Sequence, residues 1–242
     1  MHRLIKFQIF RKNIENLIVI VANIHYSSVK MNPEFIPLGE SCAIAYQLHK
    51  HGKRKQAYPF DWIRTGKLKN ITNLINENFM CFTSFVKCSD KGKNNFPKVD
   101  GDNFNKDGKP CVLVKNKFNM RFPHDFDETN FKEQGILVRQ KYFRRIDKFK
   151  DIINSEKKVI FIREESILKP WIKYQVNNFI KQIEKKNNNL DFKFVLVLHN
   201  PEKKELEFKD VHEKVIIFEN NEPFEGWERD NFNWEQVFNY FI

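Results

Sequence analysis

In the second half of the chain, unbroken apolar runs alternate with amphipathic stretches. Lys158–Arg163, Phe192–Leu198 and Val215–Phe218 predict strands that are largely continuous in β-branched or apolar residues, while residues 170–187 carry helical spacing. Strands buried on both faces and separated by helices predict an α/β fold, a mostly parallel sheet with helices on both faces. Upstream, Phe35–Gly39 predicts a short buried strand, and Ser41 a cap for a helix reaching about His51, with Ala43, Ile44 and Leu48 inward and Gly52 as its stop. Leu68, Ile71, Leu74, Ile75 and Phe79 predict a second helix over 66–80. Strands at 111–114 and 118–122 lead into His124, a long amphipathic helix follows over 131–155, and Trp234–Phe241 forms the last helix. Ser89–Pro110, rich in Lys, Asn, Asp and Gly, predicts a long loop. The recognisable pattern begins at Phe35, so residues 1–34 are expected to be an extension of unclear role and 35–242 a single α/β domain.

Composition changes this picture little. With 41% hydrophobic and 30% charged residues the chain is globular in character, and its 242 residues suffice for a normal core. The 25 Phe against 6 Tyr, alongside frequent Lys, Asn and Ile, match the output of an AT-rich coding sequence, which weakens any functional reading of the +11 charge. The densest basic run, Arg139 to Lys150, falls on a helical pattern whose solvated face accounts for it, so nucleic acid is not expected as a partner. The longest apolar run, Leu17–Ile24, is too short for a membrane span and no small-residue cleavage site follows it, which predicts a cytoplasmic protein, in the host cytoplasm if viral.

Four cysteines at 42, 81, 88 and 111 lack the pairing of a zinc knuckle or disulfide framework, and reduced thiols are expected. No phosphate-binding glycine motif occurs, and His124, Asp125 and Asp127 lie too close together for convincing metal geometry, so the reading expects no cofactor and no metal. The strand-turn-helix around Leu38-Gly39-Glu40-Ser41-Cys42 places Cys42 in the first turn of a helix, where unpaired N–H groups favour a thiolate. His124 is the candidate base, with Asp125 the adjacent candidate orienter. Asp61, between Phe60 and Trp62, needs a cap or a cation if buried. His199, just past a strand end, is a possible ligand position that a turn at Asn200-Pro201 also explains.

Taken in order, Leu38-Gly39-Glu40-Ser41-Cys42, Pro59-Phe60-Asp61-Trp62, His124-Asp125-Phe126, Tyr142-x-Arg144-Arg145-Ile146-x-x-Phe149 and Val159-x-Phe161-x-Arg163 resemble a family of papain-like cysteine peptidases. The resemblance implies a Cys42 nucleophile with His124 as base, a thiol-dependent hydrolase or acyltransferase acting on a peptide, acyl or glycan-linked substrate. It also implies an alternative fold, the papain-like α+β arrangement of a Cys-bearing helix against an antiparallel barrel. Glu40, Ser41, Asp61, Trp62 and Arg163 are expected to contact ligand. The alternative function is a non-catalytic or carbohydrate-linked binding domain using Pro59–Trp62 and His124–Phe126. Gly39-Glu40-Ser41 is also similar to the Gly-Asp-Ser block of small esterases, although no Asp-x-x-His follows near the C-terminus.

Overall fold

The computed structural model describes residues 32–88, 112–127, 130–166, 169–199, 211–222 and 226–242. The Leu17–Ile24 run, the Ser89–Pro110 loop, Cys111 and the Asn200-Pro201 turn lie outside the described residues. The elements are β1 (Glu34–Pro37), α1 (Ala43–Lys50), α2 (Leu68–Asn76), β2 (Val86–Lys87), β3 (Val114–Lys115), β4 (Arg121–Phe122), α3 (Phe131–Ile153), β5 (Val159–Glu165), α4 (Ile172–Lys186), β6 (Phe192–His199), β7 (Val215–Asn220) and α5 (Trp234–Asn239).

Four strands form one sheet in the order β1-β5-β6-β7, every pair parallel. Side chains alternate across it as the period of two requires. Ile36, Val159, Phe161, Phe194 and Leu196 pack with α2, α3 and α4 on one face. Phe35, Ile160, Ile162, Val195 and Val197 pack with Ile44 and Leu48 of α1 and Trp234, Val237 and Phe238 of α5 on the other. The expected α/β architecture is therefore present. The papain-like α+β alternative is not: among the described residues antiparallel pairing is confined to the short β2-β3-β4 sheet and a bridge between Arg64 and Arg121.

That small sheet is tied to α3 by aromatic contacts. Tyr142 lies with its ring centroid 5.3 Å from Phe82 and 5.2 Å from Phe122, and Phe149 meets Phe60 at 5.7 Å. Such edge-to-face pairs add about 0.5–1.5 kcal/mol each beyond their buried area, so the phenylalanine excess has a structural use whatever its origin. Asn130 begins α3 by accepting the Glu133 N–H at 3.3 Å. Among the described residues no helix is long and apolar enough to cross a membrane.

Candidate active site

The chain leaves β1 at the carboxyl edge of the sheet, the side on which parallel α/β sheets place ligands. The turn there is held on several sides. Leu38 donates its N–H to Ile162 O at 2.7 Å, its carbonyl accepts Arg163 Nη1 at 2.8 Å, and the Gly39 carbonyl accepts the Thr65 hydroxyl. Glu40 Oε2 accepts both the N–H and the hydroxyl of Ser166, each at 2.6 Å. Ser41 Oγ accepts the Ala43 N–H at 3.2 Å and donates to Glu164 Oε1. Cys42 follows as the N-cap residue of α1, only 6% exposed. A Cβ on Gly39 would run into the Ser41 carbonyl oxygen, a backbone atom that cannot swing aside. Gly39→Ala is therefore expected to shift the turn and to destabilise the protein by about 1–3 kcal/mol, with slower modification of Cys42 at pH 7. Urea unfolding and thiol-labelling rates check both effects.

His124 arrives from a different part of the chain, just after β4. The backbone of Arg64 exchanges hydrogen bonds with Arg121 of β4, at 3.0 and 2.9 Å, which brings the Asp61–Arg64 segment beside the strand that ends just before His124. Trp62 accordingly meets the His124 ring edge-on, centroids 6.5 Å apart, and the Arg54 guanidinium lies 5.9 Å from the Trp62 ring centroid. His124 Nε2 lies 3.5 Å from Cys42 Sγ, across 82 residues of sequence. The imidazole is exposed while the sulfur is buried, so a reagent reaches the pair from the His124 side.

The neighbours of His124 have other partners. Asp125 Oδ2 accepts the Tyr142 hydroxyl at 2.6 Å and Oδ1 accepts Lys141 Nζ, which fastens the His124 loop to α3. Burial first, and the Asp125 charge next, push the Tyr142 hydroxyl well above its ordinary pKa, so it remains a donor. Asp127 exchanges hydrogen bonds with Gln134 of α3, and Phe126 is buried in the core. Among the described residues no group of three His, Cys, Asp or Glu side chains is arranged to hold a metal ion.

Two of the residues expected to contact ligand are buried. Asp61 is 1% exposed; its Oδ2 accepts Arg54 Nε at 3.0 Å and Nη2 at 2.6 Å. Burial raises its pKa despite that charge, and Oδ1 has no hydrogen-bond partner among the described residues. Arg163 is fully buried and binds Glu165, Leu38, Thr65 and Gly66. Both are buried because protein acceptors or donors replace the water that a charged group requires. Pro59 and Phe60 are buried like Phe126, so the two segments of the alternative binding reading present chiefly Trp62 and His124 to solvent.

A second cluster contains His199, the one member singled out in the sequence, which is the last residue of β6 rather than just past it. Glu164, whose Oε1 takes the Ser41 hydroxyl, has Oε2 3.2 Å from His199 Nε2 and 3.6 Å from Arg229 Nε, and His199 Nδ1 lies 3.2 Å from Asn220 Nδ2. All four are at least 96% buried, from 0% exposure at Glu164 to 4% at Asn220. The available signal was an Arg-Glu-Glu triplet continuing an otherwise apolar strand, where ionic residues demand buried partners.

Residues 33–202 match the family described as "Putative papain-like cysteine peptidase". The chain belongs to this family. A protein of Acanthamoeba polyphaga mimivirus, named only as uncharacterized, is 33% identical to it over 214 residues, 84% of this chain and 96% of the relative. No solved structure matches the chain significantly. The papain-like family match ends at residue 202, so it takes in β1, β5 and β6 but not β7 or α5. His199 and Glu164 lie within the matched span of this papain-like peptidase family, whereas Asn220 and Arg229 lie beyond it.

Proposed function

We propose that the protein is a thiol-dependent hydrolase or acyltransferase in which Cys42 is the nucleophile and His124 the general base. The observation that carries this reading is the 3.5 Å approach of Cys42 Sγ to His124 Nε2 at the start of a helix. His124 Nε2 takes the thiol proton as Sγ attacks a carbonyl carbon, the new C–S bond forms, and the C–O electron pair moves onto oxygen. Backbone N–H groups of residues 40–43 are the candidates to stabilise that oxygen, with the Ala43 N–H having to turn from Ser41 Oγ to take part. Collapse of the adduct expels the leaving group, which takes the proton from His124. Water, or an acceptor nucleophile, then attacks the thioester and restores the thiol, with His124 again handling the proton. Asp125 acts here through the loop, by anchoring His124 to α3, and Trp62 limits the ring's movement from the opposite side.

The test is the pH dependence of Cys42 alkylation by iodoacetamide, followed by peptide mass mapping because Cys81 is exposed and Cys88 half-buried. Cys42 should react at pH values below the range of a free thiol, whose pKa is about 8.5. His124→Ala should move the profile upward and slow the reaction at pH 7 about tenfold, the equivalent of one pKa unit. A Cys42 profile that His124→Ala leaves in place would dismiss the pair.

A further inference from the structure

We propose that the cavity between α2 and α4 binds a nucleoside phosphate, either as a free nucleotide or as a unit of single-stranded nucleic acid. The cavity is about 550 Å³, the size of a small-molecule site, and none of its lining residues belongs to the Cys42 site. Its lining is chemically one-sided. Lys69, Lys181 and Lys185 contribute three cations and no Asp or Glu contributes a compensating charge, so an anion is favoured and a cation excluded.

Two aromatic rings line the cavity near the start of α4, Trp171 and Tyr174, before Lys181 and Lys185 along the helix. Trp171 is 44% exposed and Tyr174 67% exposed; Lys67 Nζ sits over the Trp171 ring, 5.3 Å from its centroid, so Tyr174 is the ring on which stacking is proposed. At 1.5 Å of rise per residue, Tyr174 and Lys181 are separated by about 10 Å along α4. The complementary ligand is therefore elongated, with a ring near the start of the helix and negative charge farther along.

A further polar group is directed at the same space. Gln175 is 6% exposed and lines the cavity; its Oε1 accepts the Lys69 N–H at 3.0 Å, while its amide NH2 has no protein acceptor among the described residues. Asn73 and Asn178 add amides that can both donate and accept, as the edge of a base requires. An inorganic anion would engage the lysines and leave the rings unused, and a neutral ring would do the reverse. A nucleoside phosphate engages both sets.

The experiment is fluorescence anisotropy on the full chain with labelled ATP and with a labelled oligothymidylate, between about 50 and 200 mM salt. Saturable binding of either probe is expected. Tyr174→Ala should weaken it about tenfold or more, as loss of one stacked base does. The pair Lys181→Glu and Lys185→Glu should abolish it or flatten its salt dependence by about 0.7 in slope for each phosphate no longer neutralised. All three positions are exposed, so these substitutions should leave the urea midpoint and Cys42 alkylation unchanged. Tighter binding of ATP assigns a free nucleotide, and tighter binding of the oligomer assigns a strand. The proposal is overturned if neither probe saturates, if Tyr174→Ala has no effect, if a sulfated glycan competes equally well, or if the chain dimerises through this face and takes up neither probe.

Discussion

Arg163→Leu should remove about 3–5 kcal/mol of folding stability, the usual consequence of deleting one partner from a buried ion pair. The guanidinium is wholly inside, with Nε 2.9 Å from Glu165 Oε1, Nη1 bonded to Leu38 O at 2.8 Å and Thr65 Oγ1 at 2.6 Å, and Nη2 donating to Gly66 O. Removing it leaves a 4%-exposed Glu165 without its cation and takes a donor from the Leu38 and Gly66 carbonyls, of which Leu38 keeps only the Thr65 hydroxyl at 3.4 Å among the described residues. Burial already pushes the Glu165 carboxyl upward, with Arg163 pulling against it, so the variant's Glu165 should fold protonated. Against a typical total of about 5–15 kcal/mol, the loss is large enough to move the urea midpoint far below that of the parent. Arg163→Lys should recover only part of it, because one ammonium cannot reproduce the planar fork. The double change Arg163→Leu with Glu165→Leu should be milder than the single one, since replacing both members avoids the lone charge. If the single variant unfolds within about 0.5 kcal/mol of the parent, the clamp contributes nothing and the turn before Cys42 is held by other contacts.

The clamp also explains why the sequence was a good guide to the sheet and a poor one to the residues around it. Val159 to Ile162 announce a doubly buried strand, and the structure has it. The predicted strand ends at Arg163, because Glu164 and Glu165 would ordinarily be solvated. Instead β5 continues through Glu165 with every residue buried, and strand alternation sends Arg163 and Glu165 to the α2–α4 face and Glu164 to the α1–α5 face. No local pattern reveals that two of these charges have partners 35 and 125 residues away, Glu164 in His199 and Arg163 in Leu38. The pairing of Cys42 with His124 was suggested by residue order and resemblance, yet its distance depends on the Arg64–Arg121 bridge, which no spacing rule anticipates. The role of Asp125 was open for a similar reason. Its partners, Lys141 and Tyr142, lie 16 and 17 residues on, upon a helix whose rotation is set by the aromatic cluster.

Glu164→Gln tests the opposite face of the sheet, and its effect should depend on pH in a defined direction. Burial alone would raise the Glu164 pKa, but the His199 hydrogen bond and the Arg229 charge, with the Ser41 hydroxyl, outweigh it and hold the group below its ordinary 4.5. A carboxylate whose folded pKa is depressed stabilises the protein fully above the unfolded value, and that contribution is lost as pH falls through the folded value. At pH 7 the variant should therefore be less stable by about 3–5 kcal/mol, having lost the charge that faces Arg229 and His199. On acidification the parent should descend toward the variant, and the two urea midpoints should converge once Glu164 is protonated in both states. A difference that stays constant from neutral to acid pH would mean that shape, not charge, is what Glu164 supplies. Ser41 accepts the Ala43 N–H and donates to Glu164, so the same substitution also loosens the first turn of α1. Cys42 alkylation in Glu164→Gln should accordingly slow at pH 7 without the upward shift of the pH profile expected for His124→Ala, because the base beside the sulfur is untouched. Loss of rate with the profile unmoved assigns Glu164 to positioning, whereas a moved profile would bring its charge into the chemistry of the thiol.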